Sequence, residues 1–72
     1  MTLVRLKTGQ TQVDRPAKNY DEAQDMVSTI SEALKKKGYQ INWATRVRLR
    51  MSRVILYNPV KKERVILSIE QA

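Results

Sequence analysis

The stretch that decides the fold is INWATRVRLRM, residues 41–51. Mostly apolar residues stand at its odd positions, and polar, mainly basic residues stand at its even positions. A period of two that is sustained over the whole stretch predicts a β-strand with one apolar and one polar face. The side chains expected to face a core are those of Ile41, Trp43, Val47 and Leu49. Those expected on the opposite face are Arg46, Arg48 and Arg50.

Two more strands are predicted after this stretch, because the tetrapeptide RVIL occurs at 53–56 and again at 64–67. The predicted strands are Arg53–Asn58 and Arg64–Glu70. A turn is expected near Met51–Ser52. Another is expected over Asn58–Glu63, because Pro59 has no N–H to donate to a ladder.

Both tetrapeptides carry consecutive apolar side chains, so each of these strands is apolar on two faces. Such a pattern is typical of a central strand, or of a strand whose second face contacts another molecule. On the predicted register, Val54, Leu56 and Ile66 fall on or near the arginine-bearing face. An exposed mixture of aliphatic and arginine side chains suits a protein interface.

Residues 20–37 are predicted to form an amphipathic helix, because their apolar residues recur at the spacing of one helix face. Asn19 and Glu22 fit a capping box at its start, with Asp21 as the alternative N-cap. Gly38 fits the left-handed residue that commonly follows a helix end. Acidic residues in the first turns and the lysines at 35–37 in the last turn suit the helix dipole.

The N-terminal segment is predicted to be extended. Leu3–Lys7 has the pattern of a strand, Thr8–Gln10 that of a turn, and Thr11–Arg15 that of a weaker returning strand. Arg15–Lys18 is expected to be a loop because of Pro16. The predicted order is therefore β-(β)-α-β-β-β, an α+β fold with a single helix packed on an antiparallel sheet of three or four strands. Residues 1–72 are expected to form one small domain.

Composition excludes several classes of function. The 72 residues contain no cysteine and no histidine, which removes disulfides, thiolate chemistry, the usual zinc ligands and the commonest general base. The only glycines are Gly9 and Gly38, so no glycine-rich phosphate loop is present. We therefore expect neither an enzyme nor a cofactor. With no apolar run of about 18 residues and no leader pattern, we expect a cytoplasmic protein with no membrane partner.

The charge of the chain points to an anionic partner. Lysine and arginine number 14 against 7 acidic residues, a net charge of +7, and most of the excess lies after residue 40. A row of arginines without interleaved carboxylates repels itself, and guanidinium groups bind phosphates bidentately and stack on bases. A charged strand that resists edge-to-edge aggregation is the competing interpretation of the row. The candidate binding residues are Arg46, Arg48, Arg50, Arg53, Lys61, Lys62 and Arg64.

The sequence therefore favours a small basic module that binds nucleic acid through its arginine-bearing strand and hairpin. With Trp43 expected in the core, contacts to phosphates are expected to dominate over contacts to bases. The alternative is a protein-interaction module, such as a small regulator or inhibitor of the phage or mobile-element type. It would dock on an acidic protein, or form a homodimer by strand pairing that covers the second apolar face.

Overall fold

The structure is a computed structural model that describes the backbone of residues 1–47 and 50–71 and the side chains of residues 1–44 and 52–71. Its elements, in chain order, are β1 (Thr2–Thr8), β2 (Thr11–Ala17), α1 (Tyr20–Lys36), β3 (Gln40–Val47), β4 (Arg50–Asn58) and β5 (Glu63–Gln71). The strands form one antiparallel sheet in the order β2-β1-β5-β4-β3. The predicted class, one helix on an antiparallel sheet, is confirmed. The sheet has five strands in the described residues, however, rather than three or four.

The strand count differs because β2 is complete and longer than the sequence predicts. β2 continues to Ala17 and includes Pro16, which the sequence assigns to a loop. Proline is tolerated there because β2 is an edge strand whose only neighbour in the sheet is β1. The hairpin closes with Thr8 opposite Thr11, and Gly9 takes a φ of 56° in the two-residue loop between them.

The helix begins where the sequence predicts and ends one residue before the predicted end. The Asn19 side chain accepts a hydrogen bond from the N–H of Glu22 at 2.8 Å, so Asn19 is the N-cap. At the other end Gly38 has a φ of 99°. The N–H groups of Gly38 and Tyr39 donate to carbonyls of the last helical turn, which is the Schellman arrangement.

The core lies between α1 and one face of the sheet. The helix packs chiefly on β4. The largest fully buried apolar side chains are those of Val4, Val27, Val54, Leu56 and Leu67. The helix also buries a polar group, because Ser31 is fully buried and its hydroxyl has no hydrogen-bond partner in the described structure.

The hairpin that the repeated tetrapeptide predicts is present. β4 and β5 pair antiparallel, with Ile55 opposite Ile66. The predicted turn at Met51–Ser52 is wrong, because β4 already begins at Arg50. Val47 at the end of β3 pairs with Arg50, so the chain reverses before the predicted turn.

The predicted faces of β4 are also wrong. Val54 and Leu56 have no exposed surface and pack under α1 rather than on an arginine-bearing face. Their partners on β3 are Ala44 and Ile41, both of which pack against the core. The sequence pattern could not relate the faces of two strands across a turn, because one residue more or less in the turn exchanges the faces.

β3 departs from strict alternation at Asn42. Ile41 pairs with Leu56, whereas Trp43 pairs with the next residue along β4, Ile55. Asn42 is therefore an extra residue in β3, which is the definition of a β-bulge. A second irregularity in the pairing of β3 with β4 follows Thr45.

The bulge reverses the predicted faces of the residues that follow it. Ile41 packs against the core as predicted, and Ala44, predicted on the polar face, packs there too. The prediction that Trp43 belongs to the core is wrong, because its side chain is 50% exposed on the other face of the sheet. The predicted core residues Val47 and Leu49 lie outside the described side chains.

Candidate binding face

The face of the sheet opposite α1 is covered by no helix in the described structure, and we call it the open face. Alternate residues of β1, β4 and β5 lie on it together with Gln40 and Trp43 of β3. The side chains at its centre are Lys7, Trp43, Arg53, Ile55, Tyr57, Arg64 and Ile66, and those at one corner are Arg5, Ser68 and Glu70.

Strand pairing arranges four of these side chains in a line across the sheet. Trp43 on β3 lies opposite Ile55 on β4. Ile66 on β5 lies opposite Ile55 on one side and Lys7 of β1 on the other. At about 4.8 Å per strand, the line spans roughly 14 Å. An aromatic ring therefore stands at one end, two half-buried isoleucines in the middle and an exposed cation at the other end.

A guanidinium group accompanies the aromatic ring. The Cζ atom of Arg53 lies 6.0 Å from the centroid of the Trp43 ring, at the outer limit of a cation–π contact. Trp43 is the single tryptophan of the chain. An exposed indole beside a guanidinium is a surface on which planar groups stack.

Two shallow depressions adjoin on the open face. The smaller, about 240 Å³, is lined by Arg5, Lys7, Gln12, Arg53, Ile66, Ser68 and Glu70. The larger, about 370 Å³, is lined by Lys7, Gly9, Tyr57, Lys62, Arg64 and Ile66. Because Lys7 and Ile66 line both, the two depressions meet at these side chains.

One corner of this sheet face is electrically neutralised. The Nε atom of Arg5 lies 3.0 Å from Oδ1 of Asp14, and its Nη1 atom lies 3.7 Å from Oε1 of Glu70. The hydrogen bond from Arg5 holds the pKa of the Asp14 carboxyl below its ordinary value, and the same contact raises the pKa of Arg5. The guanidinium of Arg5 is therefore already paired with two carboxylates of the same chain.

The cations nearer the centre of the open face are different. Lys7, Arg53 and Arg64 form no ion pair with any carboxylate among the described side chains. Lys7 and Arg64 line the larger depression, and Arg53 lies beside Trp43. Their charge is available to a ligand.

The structure brings part of the predicted site together. Arg53 and Arg64 lie on the open face, and Lys62 lines its larger depression. Lys61 is exposed in the same turn but does not line that depression. The remaining predicted residues, Arg46, Arg48 and Arg50, have side chains outside the described part of the chain.

Three side chains of the open face were not predicted as site residues. Lys7 stands in the alternating segment Leu3–Lys7, which shows its face but not that β1 lies beside β5. Tyr57 shares its alternation with Ile55, and that signal identifies its face. The place of Trp43 on the open face could not be predicted, because no residue in the sequence indicates the bulge that turns its side chain outward.

Comparison of the chain with models of known protein families, with curated proteins and with solved structures finds no match. No helix in the described residues is long and apolar enough to cross a membrane. Nor does that part of the chain bring three or more acidic side chains close enough together to hold a metal ion.

Proposed function

We propose that the protein binds single-stranded nucleic acid on the open face. The observation that carries this proposal is the exposed Trp43 ring beside the Arg53 guanidinium, on a sheet face that no helix covers. Surfaces that bind single strands combine aromatic rings, on which bases stack, with cations that follow the phosphates. The open face has both.

The arrangement favours a single strand over a duplex. A nucleobase stacks on Trp43 only if its own flat face is free, and in a duplex that face is covered by the next base pair. Base–aromatic stacking contributes about 1–3 kcal/mol per base. Contact with bases therefore carries more of the binding than the sequence alone predicts.

The cations supply the second part of the binding. Lys7, Arg53 and Arg64 lie along the same face and have no described carboxylate partner. Each contact with a phosphate releases counterions from the strand, so the logarithm of the affinity falls with the logarithm of the salt concentration. These three contacts alone give a slope of about −2 on a single strand, and each further contact adds about −0.7.

A second candidate function is docking on an acidic protein. The half-buried pair Ile55 and Ile66 favours it, because aliphatic side chains ringed by arginines are typical of the centre of a protein interface. Docking of a second copy of this chain is opposed by the like charges of Lys7, Arg53 and Arg64. A homodimer stays a prediction, which light scattering at tens of micromolar checks.

The proposal is tested by titration with oligothymidylate while the fluorescence of Trp43 is recorded. Because the chain has one tryptophan, quenching reports stacking at this position alone. We expect quenching at low salt, a slope of about −2 or steeper and weaker binding of a duplex of equal length. Absence of binding at roughly 50 mM salt would show that the open face has another role.

Two variants separate stacking from charge, with a labelled oligonucleotide as the reporter. Trp43→Leu should weaken binding at least about fivefold, the lower end of the cost of one lost stacking contact. Arg53→Gln should weaken it and reduce the salt slope, while Lys36→Gln, which removes the same charge from the exposed surface of α1, should change neither. Unchanged binding by Trp43→Leu, with equal affinity of the wild type for polyglutamate, would favour the acidic-protein alternative.

A further inference from the structure

Three cations from different segments surround the larger depression of the open face. Lys7 comes from β1, Arg64 from β5, and Lys62 from the turn that joins β4 to β5. All three are exposed. Such a cluster does not stabilise the fold, because like charges that lie close together repel one another when no anion is bound.

The acidic residue between two of these cations does not compensate them. Glu63 stands between Lys62 and Arg64 in the sequence, but the alternation of β5 turns its carboxylate to the helix-covered side. There it accepts hydrogen bonds from Tyr39 Oη at 3.0 Å and Thr8 Oγ1 at 3.2 Å. The depression is thus left with cations and without a described carboxylate.

Hydrogen bonds hold the backbone of the turn immediately before Lys62. The side chain of Asn58 is buried, and its Oδ1 atom accepts hydrogen bonds from the N–H groups of Val60 and Lys61, each at 3.0 Å. Lys62 follows with a φ of 54°, in the left-handed region that non-glycine residues rarely adopt. Lys61 and Lys62 are adjacent lysines in one turn, but of these two only Lys62 lines the depression.

The residues of the depression other than the three cations suit a ligand that carries an organic group beside its anionic group. Tyr57 and Ile66 supply an aromatic and an aliphatic wall. At Gly9 the space that a Cβ would occupy is empty, so backbone can approach a ligand there. A phosphate group with its sugar meets these requirements, because its oxygens accept hydrogen bonds from lysine and arginine.

We infer that the depression lined by Lys7, Lys62 and Arg64 is a phosphate-binding subsite of the open face. This inference rests on the proposed function for the source of the phosphate, which is the nucleic-acid strand. The phosphate belongs either to a phosphodiester within the strand or to a phosphomonoester at its end. Trp43 then holds a base about three strands away from Lys7, at the other end of the line across the sheet.

The subsite is tested first with inorganic phosphate alone, by amide chemical shifts of the full chain. Millimolar phosphate should shift the amides of Gly9, Lys62 and Arg64 and leave the Trp43 indole unchanged. Lys62→Gln should weaken this binding severalfold, whereas Lys61→Gln, the same charge change one residue earlier, should not. Shifts spread evenly over all lysines, or equal losses in the two variants, would overturn the subsite.

The source of the phosphate is tested with oligothymidylates that carry a 5′-phosphate, a 3′-phosphate or no terminal phosphate. Tighter binding of one of the phosphorylated oligonucleotides would mean that the subsite binds a terminal phosphomonoester. Equal binding of all three would mean that it binds a phosphodiester within the strand. In either case Lys62→Gln should make the salt slope shallower by about 0.7, the contribution of one contact on a single strand.

The two proposals fail in different ways. If oligonucleotides quench Trp43 but Lys62→Gln leaves both affinity and salt slope unchanged, the subsite is wrong and the proposed function stands. If phosphate shifts the amides of the depression but no oligonucleotide binds, the subsite stands as a small-anion site and the proposed function is wrong.

Discussion

Val54 and Ile55 are neighbours in β4, but their side chains lie in opposite environments. Val54 has no exposed surface beneath α1, while Ile55 is half-buried on the open face. The same contrast holds for the paired strand, where Leu67 is fully buried and Ile66 is not. In both copies of RVIL, therefore, alternate residues pack in the core, and the residues between them lie on the open face beside cations and aromatic rings.

The largest effect that separates the two faces is expected at Leu56. Leu56→Ala removes a fully buried side chain and should cost about 2–5 kcal/mol of unfolding free energy. A domain of this length has a total stability of only roughly 4–11 kcal/mol, so the variant should be close to unfolding. Urea denaturation followed by circular dichroism measures the difference.

The matched change on the open face is Ile55→Thr, which keeps a β-branched side chain in the strand. It should alter the unfolding free energy by within about 1 kcal/mol while weakening oligonucleotide binding. A loss as large as that of Leu56→Ala would mean that Ile55 is covered in the folded protein, and the two faces would not differ as described.

The next effect concerns a polar group on the buried side. Ser31→Ala removes a hydroxyl that is fully buried without a partner in the described structure, and should stabilise the protein by about 1 kcal/mol. Ser28→Ala on the same helix is the control, because Ser28 is partly exposed and reports the gain in helix propensity alone. Equal gains from the two variants would show that Ser31 has a partner after all.

The parts of the fold that the sequence predicts correctly are those with local signals. The helix is predicted correctly because Asn19 and Gly38 mark its ends by local chemistry that needs no other segment. The β4–β5 hairpin is predicted correctly because Asn58 and Pro59 stand between two apolar runs in the sequence. These signals lie within a few residues of the features they determine.

The candidate site is predicted only in part, for the opposite reason. Charge selects Arg53 and Lys62 as candidates, but the open face also depends on β1 lying beside β5, a pairing of distant segments. The orientation of Trp43 depends on one extra residue, Asn42, which has no distinctive side chain. Non-local pairing and a change of register are not visible in the alternation of a single strand.

A smaller effect is expected at alkaline pH, on the helix-covered side. Burial, with the hydrogen bond to Glu63, raises the pKa of Tyr39 above its ordinary value. The stability that Tyr39 contributes is therefore complete below about pH 10 and is lost as the pH rises from there towards the raised pKa. The melting temperature of the wild type should fall more steeply than that of Tyr39→Phe between roughly pH 9 and 11. Parallel curves would contradict the raised pKa of Tyr39.

The smallest effect is expected at the neutralised corner of the open face. Asp14→Asn removes the closest partner of Arg5 and leaves Glu70 at 3.7 Å, so Arg5 gains freedom to contact a phosphate. Oligonucleotide affinity should rise a few-fold. Glu32→Gln, which changes the charge equally and releases Lys35 on the helix, should raise it less. An equal rise in both would mean that total charge, rather than the position of Arg5, sets the affinity.

The bulge at Asn42 makes the identity of the outward-facing residues of β3 depend on register rather than on composition. Deletion of this one residue would remove the bulge and leave both faces in place, because Ile41 would still lie opposite Leu56 and Trp43 opposite Ile55. Regular pairing of the full-length strand beyond Ile41 would instead direct the Trp43 indole toward α1 and the Ala44 methyl outward. No side chain would be replaced, but the core would receive a ring too large for the space of an alanine, and the open face would lose its exposed indole. The extra residue therefore acts here through the length of backbone it adds and not through its side chain.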